Sequence, residues 1–259
     1  MTLVQVNNLC KSFGGIKALS NINIAIKEGE ITGIIGPNGA GKTTFFNLLT
    51  AIYPPSSGEI VYKLDKIISS NLLKPHKMSA YGIARTFQNI RLFKNMSVLD
   101  NVLIGNHSKI GYGVIPSILR LPSYYEHEDR AYKQAVELLE IFDLLDKREE
   151  LGANLSYGDQ RKLEIARALA SGPKLLLLDE PAAGMNPRET LELTGLINWI
   201  KKEFNLTIIL IEHDMSLVME ICDNIFVFNY GNLIGEGRPQ EVQSNPEVIR
   251  AYLGSDEKC

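Results

Sequence analysis

Two short stretches of this chain carry the residue types and spacing to hold phosphate. The first, Gly36-Pro37-Asn38-Gly39-Ala40-Gly41-Lys42-Thr43-Thr44, fits G-x-x-x-x-G-K-[ST], with a strand-like run before it and a helical pattern after it. Glycines let the backbone wrap an anion so that successive N–H groups point inward. The following helix N-terminus adds partial positive charge. Lys42 is then placed to reach the β- and γ-phosphates of a nucleoside triphosphate, and the Thr43 hydroxyl to hold Mg²⁺. The second stretch, Leu155-Ser156-Tyr157-Gly158-Asp159-Gln160, opens a helix of its own ahead of Leu175-Leu176-Leu177-Leu178-Asp179-Glu180. Asp179 closes a four-leucine run, where a carboxylate binds Mg²⁺ directly or through water. Glu180 follows on the γ-phosphate side, where a carboxylate can polarise an attacking water.

The elements that must position these groups follow from the hydrophobic pattern. Thr2–Val6 and Ile22–Ile26 alternate like strands, and Lys27-Glu28-Gly29-Glu30 is a turn. Ile31–Ile35 is a β-branched run that ends in the glycine loop, as a buried strand would. Lys42–Ile52 has helical spacing, stopped by Pro54-Pro55-Ser56-Ser57-Gly58. Met96–Asn106 and Ala131–Leu145 are helical in period. Lys109–Glu128, with two glycines, two prolines and adjacent tyrosines, reads as an irregular insertion with room for a short helix. From Leu175 strands and helices alternate: Leu175–Leu178, Arg188–Glu203, Thr207–Ile211, Met215–Ile221, Ile225–Asn229. That rhythm predicts an α/β fold with a mainly parallel sheet. Asn245-Pro246-Glu247 opens a short C-terminal helix.

At 259 residues, 45% hydrophobic and 22% charged, the chain is long enough for one large domain or a domain with an inserted subdomain. A net charge of −3 gives no sign of a nucleic-acid binder. No run approaches the ~18 apolar residues of a membrane span, and the N-terminus lacks the pattern of a signal peptide. Cys10, Cys222 and Cys259 are scattered without metal-site spacing, which suits a reduced, cytosolic chain.

Over nearly its whole length the chain resembles the ATP-binding cassette (ABC) ATPases, a class of P-loop NTPase. The carriers are Gly36–Thr44, Gln88 after Arg85-Thr86-Phe87, Leu155–Gln160, Leu175–Glu180, and His213 in Ile211-Glu212-His213-Asp214. The resemblance implies a mainly parallel core sheet, an N-terminal antiparallel β part and an inserted helical subdomain. Divided accordingly, 1–88 and 171–259 are the two parts of the catalytic core and 89–170 the helical subdomain. It implies ATP and Mg²⁺ as ligands, with Thr43, Gln88 and Asp179 around the metal. Gln88 would link the metal and attacking water to the transporter interface, and His213 would orient Glu180 and the water. Phe13, in Ser12-Phe13-Gly14, occupies the place of an adenine-stacking aromatic. Leu155–Gln160 is similar to the signature LSGGQ, in which Ser156 and Gly158 would bind the ATP of a second, facing subunit. Tyr157 and Asp159 depart from it, and Asn186 stands where many members have an aspartate.

Within the family, Ile83–Phe93, Leu155–Gly158, Pro181–Pro187, Ile211–Met215 and Asn245–Gly254 resemble the larger ATPase of branched-chain amino acid importers. That implies two membrane permeases, a second related ATPase subunit, a substrate-binding protein acting indirectly, and a peripheral place on the cytoplasmic face of the inner membrane. Whether the isolated chain also forms a homodimer stays open. Ile90, Leu92, Phe93 and Met96 are candidates for the permease-facing surface or for packing inside the helical subdomain. The alternatives are a lipopolysaccharide-type exporter ATPase and a soluble, non-transport ABC ATPase.

Overall fold

In a computed structural model, residues 1–70, 73–106, 120 and 122–253 are described. The centre is set by the most apolar runs of the chain. β3 (Ile31–Ile35), β7 (Leu175–Asp179) and β8 (Thr207–Ile211) are buried at every position. Strands without polar alternation need both faces covered, which a parallel sheet flanked by other layers provides. With β6 (Ile83–Arg85), β9 (Asn224–Asn229) and β10 (Asn232–Gly237) they form a six-stranded sheet ordered β10-β9-β3-β8-β7-β6. Only the β9–β10 pair is antiparallel.

Alternate residues of one strand feed two separate cores, as the two-residue period of a strand requires. Leu176 and Leu178 of β7 face one cluster; Leu175 and Leu177 face the other. The second cluster lies against an antiparallel sheet, β2-β1-β4-β5, built from β1 (Thr2–Phe13), β2 (Ile16–Lys27), β4 (Ser57–Lys63) and β5 (Ile67–Ser69). Here one face is wet: Leu19, Ile22, Ile24 and Ile26 of β2 are buried, while Asn21, Asn23 and Ala25 are not. Helix α1 (Lys42–Leu49) fills the space between the two sheets with Phe45, Phe46, Leu48 and Leu49. The Tyr62 hydroxyl of β4, fully buried, donates to the Leu49 carbonyl at 2.6 Å, so the antiparallel sheet holds the C-terminal end of α1.

The first cluster gathers the helices. These are α2 (Val98–Gly105), α3 (Pro122–Ile141), α4 (Tyr157–Ala170), α5 (Pro187–Glu203) and α6 (Met215–Ile221). Leu138, Leu139 and Phe142 share it with Leu163, Ile165 and Leu169 and with Leu178, Ile208 and Leu210 of the sheet. Two short helices, α7 (Pro239–Gln243) and α8 (Pro246–Leu253), close the chain against β9 and β10. Among the described residues no helix is long and apolar enough to cross a membrane.

Several boundaries differ from the sequence pattern. β1 and β2 are each 12 residues long, well beyond their alternating cores, because β-bulges shift the register along their pairing. α1 stops at Leu49, since Ala51 takes a left-handed φ of 54° and Ile52 lies in the turn beyond. α3 starts at Pro122, so the end of the expected irregular insertion is helical; most of 109–121 lies outside the described residues. The first turns of α3 are largely exposed and the helix buries only Ala135, Leu138 and Leu139, so no apolar stripe announces its start. Its end at Ile141, not Leu145, follows from the left-handed Asp143 (φ 57°), although Phe142 and Leu144 remain core residues. Asn245 accepts the Glu247 N–H at 2.9 Å, as its position before α8 predicts.

Tyr62→Phe deletes the hydroxyl that bonds the Leu49 carbonyl while keeping the ring. A loss of about 1–2 kcal/mol in stability is expected by urea denaturation.

Candidate active site

The glycine loop is locked by the sheet below it. A side-chain carbon on Gly36 (φ 149°) would stand 2.1 Å from the Phe228 carbonyl of β9, and one on Gly41 (φ 103°) 2.8 Å from the Ala18 carbonyl of β2. Both strands therefore press on the loop, and only glycine fits at these points. Lys42 opens α1. Its ammonium is buried and donates to the carbonyls of Gly36 at 2.6 Å and Pro37 at 3.0 Å. Burial pulls its pKa below the usual lysine range, and the Glu180 carboxylate opposes that shift. A cleft of about 900 Å³ runs over this loop. Asn38, Gly39, Ala40, Gly41, Lys42, Thr43 and Thr44 line one wall and Gln88, Glu180 and His213 another.

Glu180 is the focus of that second wall. One carboxylate oxygen accepts from Gln88 Nε2 at 2.8 Å and the other meets His213 Nε2 at 3.0 Å. Its backbone is left-handed (φ 49°), an unfavourable state for a side chain of this kind, and its N–H is bonded to the Ile211 carbonyl at 2.9 Å. Glu212, not foreseen as a site residue, supports this turn. Its buried carboxylate accepts the N–H groups of Ala182 (2.7 Å) and His213 (3.0 Å), fixing the chain on both sides of the Glu180–His213 contact. Burial raises the Glu212 pKa, with the backbone donors of Ala182, His213 and Asp214 opposing and Glu180 adding to the rise.

Asp179 lies deeper than the cleft wall. Its Oδ2 is paired with Arg85 Nη2 at 2.7 Å, with both side chains buried. Arg85 Nη1 donates to Asn47 Oδ1 (2.8 Å) and Thr50 Oγ1 (3.0 Å) of the α1 segment, so one guanidinium ties α1, β6 and β7 together. Thr43, Gln88 and Asp179 offer a hydroxyl, a carboxamide and a carboxylate. Because Gln88 spends its N–H₂ on Glu180, its carbonyl oxygen is the atom left for a cation. Such hard oxygen donors fit Mg²⁺, which takes its remaining ligands from water and phosphate.

The segment that carries Gln88 is held from α4. Arg161, fully buried, donates to the carbonyls of Phe87 (2.7 Å) and Gln88 (2.9 Å) and pairs with Glu164 at 2.9 Å. Glu164 in turn accepts the Arg91 N–H at 3.1 Å. Beyond lies a groove of about 500 Å³ lined by Phe87, Arg91, Phe93, Ile104, Arg167 and others. Of the four apolar candidates for a permease-facing surface, Phe93 is exposed and borders this groove, while Leu92 packs against the core.

Ser156 and Gly158 stand outside the cleft, at the exposed N-terminus of α4. Ser156 is the helix N-cap: its hydroxyl accepts the Asp159 N–H at 3.2 Å. The Tyr157 ring lies over Gly184, where an added carbon would be 3.3 Å from it. Asn186 caps α5, accepting the Arg188 and Glu189 N–H groups at 3.0 Å each.

Phe13 also lies outside the cleft. It packs edge-on against Tyr53 at 5.3 Å, with the Lys11 ammonium 5.0 Å from its ring. The rim is formed instead by Ile16, Lys17, Ala18 and the exposed Tyr230, followed by Gly231, whose N–H is bonded to the Ala40 carbonyl at 3.0 Å. Tyr230 sits in a turn that the sequence marks, Asn229-Tyr230-Gly231. Its nearness to the glycine loop comes from β9 lying beside β3, which local pattern does not reveal.

The sequence of residues 19–183 matches the ABC transporter family, and 232–258 the family described as branched-chain amino acid ATP-binding cassette transporter. The chain is 45% identical over 252 residues to the high-affinity branched-chain amino acid transport ATP-binding protein LivG of Escherichia coli K12, covering 97% of this chain and 98% of LivG. It is 33% identical over 256 residues to the lipopolysaccharide export system ATP-binding protein LptB of the same organism, covering 99% of each. Among solved structures it superposes on the ADP conformation of MJ1267, an ATP-binding cassette of an ABC transporter, with a TM-score of 0.83 and 32% identity over 98% of this chain and 99% of that one. MJ0796, a dimeric cassette bound to ADP and Pi in a post-hydrolysis state, matches with a TM-score of 0.76 and 26% identity over 92% of this chain and 99% of that one.

Removing the acid from the Arg161–Glu164 pair would leave a buried guanidinium short of its partner. Glu164→Ala is expected to cost about 3–5 kcal/mol in denaturant unfolding.

Proposed function

The chain belongs to the ABC transporter family, and we propose that it is the ATP-hydrolysing subunit of an importer that takes up branched-chain amino acids. The observation that carries the catalytic part is the Glu180 carboxylate, held between Gln88 and His213 on the wall facing the Lys42 loop. The relatives named for branched-chain amino acid transport, more similar than the lipopolysaccharide exporter subunit, support the choice of solute.

The reaction is attack of water on the γ-phosphorus of ATP, giving ADP and inorganic phosphate. The backbone N–H groups of the Gly36–Thr44 loop and the α1 N-terminus bind the phosphate oxygens. Lys42 turns its ammonium from the loop carbonyls to the β- and γ-phosphates. Thr43, Gln88 and Asp179 would hold Mg²⁺, which when bound would neutralise phosphate charge. Glu180 accepts the proton of the attacking water; His213 and Gln88 fix the direction of its carboxylate. Arg85 holds the Asp179 carboxylate in place through their ion pair. Tyr230 and Ile16 line the rim of the cleft, and we assign a nucleoside contact to them, with Phe13 outside that lining.

Ser156 and Gly158 are the second half of a site completed by another cassette, which the dimeric state of MJ0796 supports. The second subunit is a related ATPase, and the helical part, 89–170, moves against the core when the two close. Two permease subunits dock at the groove beside Phe93, placing the chain at the cytoplasmic face of the membrane. A binding protein delivers the solute from the other side.

Uptake of labelled leucine, isoleucine and valine, compared with and without the gene, tests the solute. Loss of all three is expected, and unchanged uptake contradicts the importer reading. Separately, Glu180→Gln is expected to drop steady ATP turnover by about 10²-fold or more while an ATP-bound dimer becomes visible by size-exclusion chromatography. Turnover at the wild-type rate would remove Glu180 from its role.

A further inference from the structure

We propose that Lys147 is a positioning residue for the Ser156–Gly158 half-site: it draws the Asp159 carboxylate aside and cancels its charge, so that a phosphate can approach the α4 N-terminus beside an acid. This rests on the reading that the half-site meets the nucleotide of a second cassette.

Asp159 is the third residue of α4, in the turn whose free N–H groups face the proposed phosphate. An acid there is favoured by the helix end but repels a bound phosphate. In the structure the conflict is resolved sideways. Lys147 Nζ bonds Asp159 Oδ2 at 2.7 Å. The lysine belongs to a different element, the one-turn segment Leu145–Lys147 that follows α3, and its backbone is fixed there: its N–H donates to the Leu144 carbonyl at 3.1 Å and its carbonyl accepts from Glu150 at 2.9 Å. The Ser156 hydroxyl, meanwhile, takes the Asp159 N–H, so the serine and the acid do not compete for one donor. Burial acts against ionisation of Asp159, but the bonds from Lys147 and Ser156 outweigh it and hold the carboxyl below its ordinary range. The Lys147 ammonium is raised, chiefly by the same bond. The pair is stably charged, with Lys162 as a further cation near the acid and Glu150 and Asp143 as acids near the lysine.

The Lys147 side chain is 41% exposed and that of Asp159 18%. Ion pairs this open to solvent add little to folding. The lysine's effect is therefore to be read in nucleotide-dependent association rather than in stability. The sharpest check removes the acid as well: with glutamine at 159 there is no charge to cancel, and the lysine becomes dispensable.

The experiment uses the full chain carrying Glu180→Gln and follows dimer formation by sedimentation velocity as MgATP is titrated. Adding Lys147→Met is expected to raise the MgATP concentration for half-dimerisation about tenfold or more, with an unchanged urea midpoint. Adding Asp159→Gln to Lys147→Met is expected to restore it to within about twofold of the parent, and Lys147→Arg to leave it near the parent. An unchanged value for Lys147→Met overturns the proposal. So does a double variant as weak as Lys147→Met, which would mean that the lysine acts on phosphate itself or on local structure. A Glu180→Gln parent that stays monomeric in MgATP overturns the half-site reading, and this inference with it.

Discussion

The controlling constraint is that β6, β7, β8 and β3 run parallel and in register, so their C-terminal ends open on one edge. Ile34 pairs with Ile211, Ile211 with Asp179, and Leu177 with Arg85. Whatever follows each strand must then gather at that edge: the glycine loop after β3, Glu180 after β7, His213 after β8 and Gln88 after β6. Crevices at the carboxyl ends of parallel strands are where such sheets bind ligands, and the reason here is purely geometric. The condition for having them is burial on both faces. The four consecutive leucines of β7 and the unbroken Ile-Ile-Leu-Ile of β8 are thus as much a requirement of the site as Glu180 itself.

Polar residues inside this frame are used as ties. Arg85 binds Asp179, Asn47 and Thr50; Arg161 binds Glu164 and the carbonyls of Phe87 and Gln88. Buried pairs of this kind add little net stability, because desolvation consumes most of their attraction. Their consequence is rigidity: breaking one partner away strands a charge. Each guanidinium even leaves its Nε without a partner, so the arrangement is held by position rather than by complete satisfaction. Arg161 fixes the Gln88 segment to α4, and Gln88 touches Glu180. Two contacts, Arg161 to the Gln88 carbonyl and the Gln88 amide to Glu180, therefore connect α4 to the carboxylate.

Much of this was legible in the sequence, and the remainder was not, for physical reasons. β3, β8 and α6 begin and end where the pattern places them, because their apolar runs are bounded by turn residues on both sides. The loop, Glu180, His213 and Gln88 share one cleft, as their order suggested. The exposed first half of α3 carries no apolar stripe, so periodicity was silent there. Glu212, Tyr230 and Arg161 were missed because their importance lies in partners distant in sequence. Phe13 is not among the residues that line the cleft: a motif fixes its position along β1, and its ring packs against Tyr53 and Lys11.

The departures from the common signature make sense as a set rather than singly. Tyr157 adds a ring where glycine is usual, and the chain supplies Gly184 opposite, leaving room for it. Its hydroxyl also lies 3.4 Å from Arg161 Nη2, which joins the signature to the tie on Gln88. Asp159 adds a negative charge, and Lys147 answers it at 2.7 Å. Asn186 gives up a charge but keeps the helix cap: its carboxamide oxygen accepts two N–H groups as a carboxylate would, and Glu189 returns a bond to its own N–H at 2.9 Å. Tyr157 and Asp159 are thus each matched by a neighbour that offsets its size or charge, while Asn186 keeps the cap. Such matching leaves the N-terminus of α4 exposed at Ser156 and the Asp159 charge paired with Lys147, an arrangement compatible with the proposed half-site.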